Sequence, residues 1–378
     1  MPMKNLVAFL NKELRNKEQI SHLFNQMKKD YINIDEEIDK ILIMHVCGTH
    51  EDTLMKNGLR YILQKEFPKL KLVAGPGCPV CVSPVFDTDI AVHLSEKVRN
   101  SIITSYGDMI RVPGTNGSLE RSRQKGAKII TVYSILDAVK IAKNNPEKKI
   151  IFISPGFETT APTTALEVQN GLPKNFSVLS SHRLVPPALD VLMGIPGFNV
   201  KGFLLPGHVS VIVGVNYYNN FFNKYQIPCA IAGFEPYDMI AGVASVLNQI
   251  TYSEPKLVNK YTRAVTQEGN KIAKDVMDNA FKVVDANWRG LGVFPKSGLE
   301  IADKFSEWNT RLVYEDHIKK IPIPTNETPI GCSCPDVVIG KMDPEECSLF
   351  LNGCSPEKPI GPCMVGLEGT CRIRAIYS

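Results

Sequence analysis

The sequence has no long hydrophobic run: nowhere in its 378 residues do about 18 apolar residues follow one another, so no membrane span is expected. The N-terminal stretch "MPMKNLVAFLNKELRNKEQ" has one short apolar segment broken by lysines and glutamates. It lacks an h-region and a small-residue cleavage site, and a cytoplasmic location is expected. Charge of one sign is also scarce, with a formal net charge of +4. No basic run is interleaved with aromatics, which argues against a nucleic-acid binder. Nucleotide signatures are missing too: there is no G-x-x-x-x-G-K-[ST] loop, and "GPGCPV" lacks the third glycine of G-x-G-x-x-G. The C-x3-C-x2-C spacing typical of radical enzymes does not occur.

What the chain does have is cysteine, ten in all and unevenly spread. Cys47, Cys78 and Cys81 lie early, Cys229 stands alone, and six crowd between Cys332 and Cys371. In a reducing compartment such clusters point to metal or redox chemistry rather than structural staples. Cys229, in "IPCAIAGF", reads as a small buried strand residue.

Between roughly 40 and 250, apolar runs alternate with amphipathic stretches. "KILIMHV", "LKLVAG", "SIITSYG" and "AKIITVYS" make a first set; "KKIIFISPG", "FSVLSSH", "VKGFLLPG" and "PCAIAGF" make a second. Runs this continuous, separated by helices, predict parallel strands covered on both faces. The loops also correspond: "CGTHED" with "PGFETT", "YGDMIRVPG" with "PGHVSVIVG", "YSILDAV" with "GFEPYDMI". The expectation is an α/β protein of two tandem related parallel-sheet domains facing a cleft, 39–146 and 147–252. A helical N-terminal segment (1–38, helix about 4–28) precedes them. A helical connection (about 255–287) and a small irregular iron–sulfur domain with flanking helices complete 253–378. In parallel sheets function gathers beyond the carboxyl ends of the strands, where each unusual motif falls.

In "HVCGTHEDTL", Cys47 ends a strand, and Thr49 with Asp52 suggests a capping box opening a helix. The helix N-terminus would favour a Cys47 thiolate, with His50 and Glu51 in the first turn. A thiolate and an imidazole three residues apart can bind a transition metal such as iron, though an isolated C-x-x-H is more often a buried cysteine beside a capping histidine. In "GPGCPVCVSP", Cys78 and Cys81 sit in a loop before a helix that Ser83 caps and Pro84 opens. With Cys47 as the nearest other cysteine, a structural zinc site would have only three ligands. A reversible dithiol facing Cys47 is the favoured reading. The tail's six cysteines in 40 residues contain no C-x-x-C pair and suit a [4Fe–4S] cluster better than a zinc ribbon. His182, Arg183 and His208 at strand ends read singly as structural polar residues.

Together "CGTHE" (47–51), "GPGCPVC" (75–81), "PGFETTAP" (155–162), "PGHVS" (206–210), "GFEP" (233–236) and the tail "ECSLF…GC…GPCMVGLEGTC" resemble the HypD family of [NiFe] hydrogenase maturation factors. The resemblance implies two related α/β domains, a C-terminal [4Fe–4S] domain, and a small partner, HypC, that supplies a cysteine ligand. On that complex an iron atom receives cyanide from HypE and acquires carbon monoxide. It implies that Cys47 binds this iron with His50 close by, and that Cys78 and Cys81 are a redox pair exchanging electrons with the cluster. It matches Cys347, Cys354 and Cys371 to cluster ligands, with Cys334 preferred over Cys332 as the fourth and Cys363 set aside. Glu51 joins Cys47, His50, Cys78 and Cys81 as an expected catalytic residue, and Thr49, Glu158, Thr159, His208 and Glu235 are further cleft candidates. Where this chain has Gly366 the family tail often has serine, with no consequence expected. More a metallocentre-assembly scaffold than a turnover enzyme is expected; the alternative is an iron–sulfur thiol–disulfide oxidoreductase acting on a protein partner.

Overall fold

The computed structural model describes residues 16–34 and 36–377. All eight anticipated runs are strands: β1 (Ile41–His45), β2 (Leu70–Ala74), β3 (Ser101–Ser105), β4 (Ile129–Thr131), β5 (Lys149–Gly156), β6 (Phe176–Arg183), β7 (Gly202–Pro206) and β8 (Cys229–Ala232). Three more follow, β9 (Leu257–Asn259), β10 (Phe281–Trp288) and β11 (Gly292–Ile301). They form two sheets. One has five strands in the order β2-β1-β7-β8-β9, all parallel; the other has six in the order β10-β11-β6-β5-β3-β4. In the second, β11 runs antiparallel to both β6 and β10, so that sheet is mixed. Every residue of β6 and β7 is buried, as covered central strands require.

The strands do not sort by sequence half, which corrects the tandem grouping. β1 and β2 pair with β7 to β9, while β3 and β4 pair with β5 and β6. The boundary expected at 146/147 thus falls within the six-stranded sheet, between β4 and β5. The reason is physical: a strand apolar on both faces carries no local mark of its partner, and helices such as Val85–Lys97 and Val185–Met193 carry the chain from one sheet to the other. The helical connection expected at 255–287 is also corrected. Only Lys271–Ala280 is helical, capped by the Asn270 side chain, which accepts from the Ala273 amide at 3.0 Å. From Phe281 the chain enters the β10–β11 hairpin, whose turn places Gly290 at φ 71°. At the N-terminus, Lys17–Ile32 is helical; the part of the expected 4–28 helix before residue 16 lies outside the described residues. Cys229 is fully buried in β8.

One apolar cluster joins the two sheets and the tail. It contains Met44 and Phe203 of one sheet, Ile103 and Ile153 of the other, and Val337, Met364 and Val365 of the tail. The tail, with only short helical turns, is therefore built into the main core. No helix among the described residues is long and apolar enough to cross a membrane.

Candidate functional site

β1 and β2 are adjacent and parallel, with His45 level with Ala74, so their following loops leave the sheet side by side. The first carries Cys47 and the second Cys78. The loops touch through backbone: Gly48 N–H donates to the Gly77 carbonyl at 3.2 Å, and Gly75 N–H to His45 O at 2.8 Å. A Cβ on Gly77 would lie 2.5 Å from the Cys47 Cα, so only glycine permits this approach. The first bond closes the turn early. The helix begins at Gly48 with Cys47 itself at the N-cap, instead of the Thr49 cap that the sequence suggests. Pro84 caps the helix Val85–Lys97, one residue later than anticipated.

Cys78 and Cys81 are joined by a disulfide across the short helix Pro79–Val82, with Cα atoms 5.3 Å apart. Both are buried, as is Cys47. The three line one small cleft together with His45, Cys363, Glu368 and Thr370. Burial pushes the Cys47 thiol up to about 12, and the Glu368 carboxylate adds to this. The first-turn amides of His50 and Thr49 pull the other way without prevailing, so the helix terminus does not by itself make Cys47 a thiolate.

His50 is fully buried. Its Nε2 faces the Ala232 carbonyl at 3.1 Å, and since a carbonyl only accepts, Nε2 carries the proton. Nδ1 is left bare and without a hydrogen-bond partner. Burial, then the charge of His45, drives the ring down to about 3, so it is neutral and offers a free lone pair. Glu51 is differently placed. One carboxylate oxygen meets His45 Nε2 at 2.8 Å and Arg60, and the other meets Arg374 of the last helix. Burial raises its pKa, but Arg60, His45 and Arg374 outweigh that and hold it well below the usual carboxylate range. Glu51 is a buried anchor between the first motif and the tail.

In the tail, the sulfurs of Cys334, Cys363 and Cys371 lie within 4.8 Å of one another, all buried. A Cβ on Gly361 would lie 2.5 Å from the sulfurs of both Cys332 and Cys334, which places Cys332 at the edge of this group. Cys363, set aside from the sequence, is a member; Cys347 and Cys354 are not. Cys354 accepts the Ile360 amide at 3.3 Å, and Cys347 is half-buried after a short 3-10 turn. Buried thiols gathered this closely suit a bound metal or iron–sulfur group.

The two cysteine groups meet. Helix Pro362–Val365 packs on Pro79–Val82, with Cys81 Sγ 3.9 Å from the Pro362 carbonyl. Cys363 belongs to the tail group and also lines the cleft of Cys47 and the disulfide. No spacing in the sequence singled out Cys363, Glu368 or Arg374; their tie to the first motif is visible only in three dimensions.

The other candidates spread outward. Glu158 is buried, with Oε1 accepting the Val185 amide at 3.0 Å and Oε2 bare; burial lifts it to about 8, so it is largely protonated near neutrality. Thr159 beside it is exposed. Exposed His208 stacks on Phe234 at 3.7 Å, and Phe234 lies 5.2 Å from the His50 ring. Glu235 caps the helix Pro236–Thr251 in a capping box with Asp238. His182 bonds Ser154 at 3.0 Å, and Arg183 donates to carbonyls of Asn287 and His182. Thr49 Oγ1 donates to Glu368 at 3.5 Å, at the rim of the cleft.

A family model for HypD, described as the "Hydrogenase formation hypA family", matches residues 19–378. The chain is 40% identical over 348 residues to a putative hydrogenase expression/formation protein of Methanocaldococcus jannaschii, covering 91% of this chain and 94% of the relative. It is 36% identical over 345 residues to the hydrogenase maturation factor HypD of Cupriavidus necator, covering 88% and 89%. To HypD of Escherichia coli it is 35% identical over 364 residues, covering 95% of each. The chain, with its disulfide, its cleft cysteine and its buried sulfur group, belongs to the HypD family of hydrogenase maturation factors.

Proposed function

We propose that this protein is a scaffold on which the iron centre of a [NiFe] hydrogenase is assembled. Cys47 holds the incoming iron, the cargo, while cyanide from HypE and carbon monoxide become its ligands, and HypC supplies a second protein sulfur. His50, neutral and with Nδ1 bare, is placed in the same motif to assist that hold. The Cys78–Cys81 pair is the two-electron store beside the iron. Its reduction breaks the Sγ–Sγ bond, takes two electrons and two protons, and leaves two thiols; an external low-potential reductant is the electron source. A [4Fe–4S] cluster on the tail cysteines supplies electrons singly when bound. Cys334, Cys363 and Cys371 fit such a group by their proximity, with Cys332 beside them.

The observation carrying this reading is the shared position of Cys363, which sits in both the tail sulfur group and the Cys47 cleft. The test is Cys47→Ser in a complex with HypC. Serine exchanges a soft donor for a hard, poorly ionised one. Iron beyond that of the cluster, and the infrared bands of bound cyanide and carbon monoxide, should be lost. Cluster absorbance and disulfide cycling should persist. A Cys47→Ser complex that kept the diatomic bands would favour the alternative, a thiol–disulfide oxidoreductase in which the cluster serves the Cys78–Cys81 pair of a plain reductase.

A further inference from the structure

The loop "YGDMIRVPG" after β3 has no part in the functional reading, yet its helix Gly107–Arg111 holds the tail beside the cleft. Asp108 Oδ2 accepts the Leu367 amide at 2.8 Å, and Arg111 Nη2 donates to the Val365 carbonyl at 3.4 Å. At its other end the same stretch of tail rests on the Cys47 motif. Thr49 Oγ1 reaches Glu368, and a Cβ on Gly48 would lie 2.4 Å from the Glu368 carbonyl oxygen. Residues 366–369 thus join the loop after β3, in the six-stranded sheet, to the loop after β1, in the five-stranded one.

Beneath them lie the reactive sulfurs. A Cβ on Gly366 would come within 3.1 Å of Cys78 Sγ, and Glu368 lines the cleft together with Cys47. The cleft so enclosed has a volume of about 10 Å³, which a single water would fill, and Cys47 is 8% exposed. An iron atom with diatomic ligands and a second protein sulfur has no room there. The stretch above is lightly held. Leu367 and Glu368 are exposed, whereas Met364 and Val365 before them and Ile373 after them are buried. Hydrogen bonds exposed to water in this way open locally far more readily than a core does.

We propose that residues 366–369 are a strap that closes the Cys47 cleft and swings off it, between two short helices anchored in the core, to admit the iron cargo. The same movement bares the Cys78–Cys81 disulfide, because Gly366 lies against it. This rests on the proposed function in one respect, that Cys47 receives iron. Asp108 is the latch: it acts by holding the Leu367 amide, as a positioning residue outside the cysteine chemistry.

The test uses the full chain, purified without air and with its disulfide intact, in the wild-type, Asp108→Ala, Asp108→Asn and Arg111→Met forms. The readout is the rate of alkylation by iodoacetamide, resolved site by site by peptide mass spectrometry. Cys229, fully buried in β8, reports opening of the whole fold. In Asp108→Ala, Cys47 should react about tenfold faster than in the wild type, with Cys229 unchanged. Asp108→Asn keeps an oxygen acceptor and should stay within about threefold of the wild type. Arg111→Met, which loses the bond to Val365, should quicken Cys47 by about threefold and carries the test if Asp108→Ala does not fold. An unchanged Cys47 rate in the folded variants overturns the proposal, as does a wild-type Cys47 that already reacts like a cysteine of the unfolded chain. An equal rise at Cys47 and Cys229 makes the Gly107–Arg111 helix a brace of the whole fold, and the proposal falls. It falls too if none of the variants folds. A faster Cys47 in Asp108→Ala whose complex with HypC gathers no iron beyond that of the cluster supports the strap as the cover of the cleft, while the scaffold reading fails.

Discussion

The two groups of cysteines are held by different means. Cys47, Cys78 and Cys81 sit on loops that leave adjacent parallel strands, and the sheet itself sets their spacing through the His45–Ala74 register and the Gly77 contact. Cys334, Cys363 and Cys371 sit on helices of four to eight residues rather than on loops that leave adjacent strands. Their order comes from attachments to the first region. Arg374 reaches Glu51, Lys71 of β2 pairs with Asp343 at 2.6 Å, and Met364 and Val365 enter the main core. The first group is positioned by secondary structure and the second by what it is fastened to. Glu51 is therefore important to the tail although it lies in the "CGTHE" motif.

The largest effect is expected from cutting that fastening. Glu51→Gln removes the buried charge that Arg60 and Arg374 share; Arg374 keeps its pairs with Asp343 and Glu345, while the partly buried Arg60 loses the carboxylate it meets. Removing one partner of a buried pair typically costs about 3–5 kcal/mol. Thermal unfolding should show that loss, and limited proteolysis should show the tail freed ahead of the sheets. A Glu51→Gln protein with unchanged stability but failed maturation would instead make Glu51 a direct participant in the chemistry.

A smaller effect, on the other region, is expected from Gly77→Ala. The added Cβ meets the Cys47 backbone rather than a flexible side-chain end, so one loop must move. Overpacking of this kind costs about 1–3 kcal/mol. The displacement should separate Cys47 from the disulfide, read as faster alkylation of Cys47 with the tail still protected from proteolysis. If the tail loosened equally, the two groups would not be independently held.

These differences mark what the sequence could convey. All eight anticipated strands were legible because continuous apolar runs such as "KIIFISPG" leave few alternatives to a buried strand. Their partners were not, because β3 is as apolar beside β5 as it would be beside β2. The hairpin β10–β11 was hidden by a preceding amphipathic helix whose pattern runs into "FKVVDANW" without a break. Cys47 and the Cys78–Cys81 pair could be placed on one sheet edge because each follows a recognisable strand. Cys363 could not be placed, since its position depends on a turn fixed only by tertiary contact. Glu51 was legible as a motif residue, but its arginine partners lie nine and 323 residues away, beyond any local pattern.

The finest test lies where the two groups meet. Gly366 closes helix Pro362–Val365 with φ −68° and ψ 134°, a conformation any residue adopts, so serine there costs no backbone strain. Its Cβ would lie 3.1 Å from Cys78 Sγ and 3.6 Å from Cys81 Sγ. The first contact is tight, and sequence resemblance alone gave no reason to expect it. Serine would also bring a hydroxyl within reach of Cys78. An O–H donor does little for a neutral disulfide and more for the reduced pair, most of all where one of its thiols ionises. A hydrogen bond to a charged group contributes about 1.5–3 kcal/mol, so Gly366→Ser should favour the reduced pair by an amount of that order or less. Thiol trapping across a series of glutathione potentials should show the Cys78–Cys81 midpoint moved to a less negative value, with thermal stability nearly unchanged. A midpoint equal to the wild type's would mean that the tail only covers the disulfide; a shift would mean that the tail also sets how readily the disulfide is reduced.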